Sequence, residues 1–148
     1  MFFRKQPSLE PEEEESIITA IESAEDCCLA EIRVHLDNRR NLNVYKRAQR
    51  VFRKLKMNKT EQRNGILFYV VPKSHKYVIL GDVGIHEKVG DEFWHEVSSA
   101  MKLEFENEKI AEGIVKGIDM CGLKLKKYFP IIDGKANENE LPNEISKR

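Results

Sequence analysis

The sequence predicts an α/β fold: a three-layer α/β/α sandwich around a mixed central sheet of about four strands. Three observations predict it. Apolar periodicity alternates along the chain between helical and strand spacing, in the order α-β-α-β-β-α-α. One segment, "GILFYVV" at 65–71, is apolar at every side-chain position, as a strand buried between helices should be. The 148 residues are enough for one domain with a sizeable core.

Residues 1–11 read as a loose arm. Pro11 and the run Glu12–Glu15 open a first helix, since negative charge in the first turn complements its free N–H groups. Ile17, Ile21 and Ala24 carry its apolar stripe to about residue 25. "LAEIRVHL", 29–36, alternates as a strand, with Ile32, Val34 and Leu36 on one face and Glu31, Arg33 and His35 on the other. "NVYKRAQRVFRKLKM" follows as an amphipathic helix with Val44, Ala48, Val51, Phe52 and Leu55 inward.

Pro72 ends strand 65–71, and "KSH" is short enough to make an antiparallel hairpin with "KYVIL", 76–80. The strands at 29–36 and 65–71 are joined through a helix and are expected to be parallel, with a right-handed crossover. After a loop come helices at about 91–106 and 108–128. Gly113, Gly117 and Gly122 in the last helix each cost up to ~1 kcal/mol against alanine, which close packing would offset. The tail beyond Pro130 has no periodicity and reads as loop, although a fourth strand is expected there or around 37–43. The domain therefore spans 12–130, followed by a tail at 131–148.

Lys plus Arg and Asp plus Glu number 25 each, so net charge points to no polyionic partner. Charged residues make up 34% of the chain, consistent with a soluble domain. No apolar run approaches the ~20 residues of a membrane span, and the N-terminus has no signal-peptide core. A cytoplasmic protein is expected. Cys27, Cys28 and Cys121 form neither a disulfide framework nor a CxxC pair. With His35, His75, His86 and His95 scattered, they do not suggest structural zinc.

The stretch "LGDVGIHEKVGDEFWHEV", 80–97, gathers glycines, carboxylates and a histidine between a strand and a helix. The antiparallel third strand should bring its end beside the start of the second, near Glu61, Arg63 and Asn64. Glu31, early in the first strand, shares that edge. The convergent set is then Glu31, Asn64, Asp82, Glu87 and Asp91, hard oxygen donors suited to calcium or magnesium. The competing reading makes Asp82 a turn residue, Asp91 a helix cap and Gly81, Gly84 and Gly90 carriers of positive φ. Neither an EF-hand nor a Walker or Rossmann loop is present. His86 and His95 have no nucleophile beside them, and Trp94 should pack in or next to the core. From Arg39 to Arg63 ten basic residues face one acid, Glu61. Arg47, Arg50 and Lys54 of that helix could meet an acidic partner, or simply be a solvated face. Aromatic residues for base stacking are missing, so no nucleic acid is expected.

The segment "RNGILFYVVPKSHKYVILGDVGIHEKV" resembles the TPM domain family, in its Asn-Gly before an apolar strand, its short hairpin and its loop Asp82-Val83-Gly84-Ile85, which stands where the family has a Gly-x-Gly-Leu-type loop. "AEIRVHL", "AQRVF" and "FENEKIAEGIVKGI" extend the resemblance over about 12–130, and the Asn-Glu-Leu-Pro of 139–142 recurs in a short soluble branch. The resemblance implies an α/β/α sandwich, an ordered tail with Asn139 and Glu140 as interaction residues, and, in some members, calcium binding or acid phosphatase activity. His86 stands where glutamate is usual, and Val83 where an aromatic is usual. Two functions are thus expected. One is a binding or assembly module with an acidic calcium or magnesium cleft and a protein partner, with or without association at a membrane. The other is a weak metal-dependent phosphatase, with Arg63 as phosphate contact. No organic cofactor is expected, and the oligomeric state is left open.

Overall fold

The computed structural model describes residues 9–39, 43–131 and 140–147. Helix α1 (Pro11–Cys27) leads to strand β1 (Glu31–Leu36), then α2 (Val44–Lys54), β2 (Gly65–Val71) and β3 (Lys76–Gly81). Helices α3 (Val83–Glu106) and α4 (Ile110–Tyr128) follow, and the described chain ends on β4 (Ser146–Lys147). The four strands lie in the order β3-β2-β1-β4. β1 runs parallel to both β2 and β4, and β2 and β3 form the antiparallel hairpin. The fourth strand is supplied by the tail, which aperiodicity had marked as loop. Two paired residues are too few to leave an alternation.

The sheet sorts its side chains by parity. Ile32, Val34, Leu36, Ile66, Phe68 and Val70 face α1, α3 and α4. Leu67, Tyr69 and Val71 face α2, joined by Leu141 from the tail. This is the three-layer sandwich expected from the sequence, with β2 buried at every position.

Helix α4 lies against α3 and α1 at close range, and its glycines make that possible. A Cβ at Gly117 would sit 2.6 Å from Met101 Sδ and 3.0 Å from Phe68 Cε2, both in the core. One at Gly122 would meet Ala24 of α1 at 3.1 Å. Burial of the neighbouring apolar surface offsets the helix propensity these residues give up.

Glu25 ties α1 to the sheet. Its buried carboxylate accepts the Ile32 N–H at 2.9 Å. Burial, opposed in part by that N–H, pushes its pKa up to about 8 from the usual 4.5. The folded chain therefore keeps a proton that the unfolded chain releases, so this group's contribution to stability is lost as pH rises through about 8. His35 does not interfere above its ordinary pKa of 6.5, because burial lowers it in the fold to about 4. Between pH 6.5 and 8 the thermal midpoint should fall as pH rises, and Glu25→Gln should remove most of that slope. A variant with the parent's slope would refute the assignment.

Candidate functional site

At the amino-terminal edge of β1 and β2, the segment that opens α3 folds back on the chain before β2. Asp82 N–H donates to the Gly65 carbonyl at 2.8 Å, and Gly84 N–H to the Arg63 carbonyl at 2.9 Å. A Cβ at Gly84 would lie 2.3 Å from the Gln62 carbonyl oxygen, so the first turn of α3 can seat there only on glycine. Gly81 is small for a different reason: its Cβ would meet the Trp94 ring at 2.5 Å. Of the three glycines considered for positive φ, only Gly90 has it (φ 73°), and there the helix kinks.

Helix thus begins at Val83, well before the expected start near 91. Asp82 is its cap, accepting the Val83 N–H at 2.8 Å. Periodicity missed this turn because exposed Val83, His86 and Glu87, with Gly84 carrying no side chain, leave Ile85 as its sole fully buried residue.

Asp82 is buried and forms a two-point pair with Arg63: Nε to Oδ2 at 2.7 Å and Nη2 to Oδ1 at 2.9 Å. Such fork geometry is among the stronger charge-assisted contacts. Arg63 takes a left-handed backbone (φ 51°), and its pKa is raised by the Asp82 hydrogen bonds and charge. Asp82 and Arg63 are therefore each other's partners.

Glu31 has a different task. Its buried carboxylate accepts the backbone N–H groups of Glu140, at 2.9 Å, and Leu141, at 3.4 Å. Burial raises its pKa, and the two tail N–H groups oppose that rise. Glu140 in turn accepts the Glu61 N–H at 3.2 Å, and Asn139 lies outside the described residues. Asn64 is buried beside β1: its Nδ2 donates to the Leu29 carbonyl at 2.8 Å, while its Oδ1 has no partner among the described residues.

Glu87 and Asp91 are exposed on either side of the Gly90 kink. Asp91 Oδ1 lies 4.0 Å from His86 Nε2, and His86 Nδ1 accepts the Trp94 indole N–H at 3.2 Å. The five expected oxygen donors share a corner of the molecule by chain position without converging. Among the described residues, no three His, Cys, Asp or Glu side chains are grouped to hold a metal.

A family model for the TPM domain matches residues 5–123. The chain belongs to the TPM domain family. No curated protein matches it. Among solved structures it is similar to the BA42 protein of the psychrophilic bacterium Bizionia argentinensis, at 41% identity. That match covers 98% of this chain and 99% of BA42, with a TM-score of 0.90. Two lower-identity matches share the fold. The N-terminal domain of a P. gingivalis protein is 16% identical, with 84% of this chain and 81% of that one covered and a TM-score of 0.69. The N-terminal domain of cg2496 from Corynebacterium glutamicum is 14% identical, with 83% and 81% covered and a TM-score of 0.64. No helix among the described residues of this TPM domain is long and apolar enough to cross a membrane.

The opposite edge of the TPM sheet, at the carboxyl ends of β1, β2 and β4, holds a polar network that sequence reading left unassembled. Asp37 is fully buried and accepts the Tyr69 hydroxyl at 2.6 Å. It also takes the Arg39 backbone N–H at 3.0 Å and the Arg39 side chain at 3.1 and 3.0 Å. Burial disfavours its charge, but the Tyr69 hydroxyl and Arg39 outweigh that and hold its pKa below the usual value. His35 stacks flat on Tyr69, centroids 5.6 Å apart, and its Nδ1 is 2.9 Å from Ser146 Oγ. Tyr69 read as one more core residue in an apolar strand, and Ser146 is far away in sequence. The available signal was the position of His35 and Asp37 at a parallel strand's carboxyl end, where open α/β sheets tend to bind ligands.

The tail's dependence on Glu31 is open to test. Glu31→Ala leaves two tail N–H groups without their acceptor and should make residues 140–147 exchange amide hydrogens much faster, while β2 stays protected. Unchanged exchange in the tail would mean that Leu141 and β4 hold it without Glu31.

Proposed function

We propose that this TPM domain is a non-catalytic binding module that engages a protein partner at the corner around Arg63 and Asp82. The observation that carries the reading is the pairing of Asp82. Its carboxylate is occupied by Arg63 and by the cap of α3, and Glu31 is occupied by the tail. Carboxylates so engaged serve the fold, and a reaction would have to break those bonds first.

Beside the pair, a cleft of about 440 Å³ is lined by Tyr45, Phe52, Arg53, Arg63, Leu80 and Val83, among others. Tyr45 is 55% and Val83 50% exposed across it. Tyrosine and arginine next to apolar surface are residue types that carry much of the energy of protein interfaces. Cross-linking in the cell of origin should capture a partner with the parent protein and lose it with Tyr45→Ala/Val83→Asp. A lone monomer would overturn the reading. So would phosphomonoester turnover that Asp82→Ala/Asp91→Ala abolishes, since that outcome makes the corner a metal-dependent phosphatase site.

A divalent cation belongs to this proposal only in a restricted form. Calcium takes six to eight oxygens, and magnesium keeps several waters. With Asp82 and Glu31 engaged, Glu87 and Asp91 are the expected donors left exposed, so the set fits a hydrated, weakly held ion and no enclosed one. At ten times its dissociation constant such an ion stabilises by about 1.4 kcal/mol. Millimolar calcium should therefore raise the thermal midpoint by a few degrees, and Glu87→Gln/Asp91→Asn should abolish the rise. No shift with the parent protein would remove the cation from the proposal.

A further inference from the structure

The carboxyl edge carries a second site, independent of the corner around Asp82. A cavity of about 380 Å³ is lined there by Arg39, Arg47, Arg50, Lys54 and Lys147, with His35 and Ser146 beside them. Two of the five cations form close ion pairs, Arg39 with Asp37 and Lys147 with Glu14. Arg47 Nε stands 3.9 Å from Asp37, too far to hydrogen-bond, and is buried without a hydrogen-bond partner. The cavity thus keeps a surplus of positive charge.

The second observation is His35. It is 6% exposed, lines the cavity, and its Nε2 has no hydrogen-bond partner among the described residues. In the tautomer in which the Ser146 hydroxyl donates to Nδ1, the ring proton sits on Nε2 and has no acceptor among the described residues. A buried donor left unsatisfied costs roughly 1–3 kcal/mol. The ring remains neutral at pH 7, since burial and the charges of Arg33, Arg39 and Lys54 lower its pKa to about 4. An acceptor in the cavity would satisfy it without changing its charge.

We infer that this cavity binds a doubly charged tetrahedral oxyanion of the phosphate class, which accepts from His35 and Arg47 and pairs with Arg50 and Lys54. The chemistry selects this class. Arginine forks match phosphate oxygens at two points, and several cations around one cavity favour a multiply charged ligand over a single carboxylate. Asp37 does not repel it, because Tyr69 and Arg39 already take up that carboxylate. The tail closes the site, with Ser146 beside His35 and Lys147 beside Leu36 in β4.

Free phosphate and a phosphomonoester on a small molecule share this chemistry, so two probes are used: inorganic phosphate and glycerol 3-phosphate. Titrated into the full chain at pH 7 and fixed ionic strength, at least one should give saturable NMR shifts at His35, Ser146 and the Arg47 side chain. Chloride should give none. Arg50→Gln/Lys54→Gln changes two exposed side chains; it should weaken binding at least tenfold and leave the thermal midpoint of the ligand-free protein unchanged. A response to both probes no larger than to chloride overturns the inference. Equal affinity in the double variant overturns it too, by placing the anion elsewhere.

Discussion

Strand β1 carries the constraint on which this molecule depends. It is buried at all six positions, yet every second side chain, Glu31, Arg33 and His35, is polar. A buried polar group needs a partner or costs free energy. The C-terminal tail supplies one to each in turn. Glu31 accepts from Glu140 and Leu141, Arg33 Nη2 donates to the Glu144 carbonyl at 3.4 Å, and His35 meets Ser146. The tail is laid along β1 residue by residue, and Leu141 closes the second core beneath it.

This arrangement explains why the two edges of the sheet differ in character. At the amino edge acids are matched to donors, Asp82 to Arg63 and Glu31 to tail amides, so the corner is locally neutralised. At the carboxyl edge one acid, Asp37, is shared by Tyr69, Arg39 and the more distant Arg47, and cations remain in excess. A chain with no net charge can therefore carry a surplus of cations at one edge of its sheet alone. The pairing pattern decides this, and composition is silent about it.

Much of this was legible in the sequence. The parity of "LAEIRVHL", the apolar run of β2 and the three-residue hairpin fixed three of the four strands and their relative directions. The helical glycines pointed correctly to close packing. The corner that joins Asp82 to Arg63 followed from the hairpin alone, because an antiparallel strand must return its end to its partner's start. The expected ligand set did not follow in the same way. Sharing an edge says nothing about where a side chain's hydrogen bonds go, and the first turn of α3 was hidden by its short, mostly exposed pattern.

The sequence by itself determined what local periodicity encodes: element order, the faces of the helices, strand directions and the neighbourhood of the Gly-rich segment. Tertiary structure alone decided which polar groups are spent and which are free. Glu31 is spent on a tail more than a hundred residues away, Asp82 on an arginine before β2, and His35 on a serine at the far end of the chain. Those pairings join residues distant in sequence, and they are set by desolvation when the sheet is covered on both faces. No short window of sequence contains that information, because the cost that selects the partner exists only once the strand is buried.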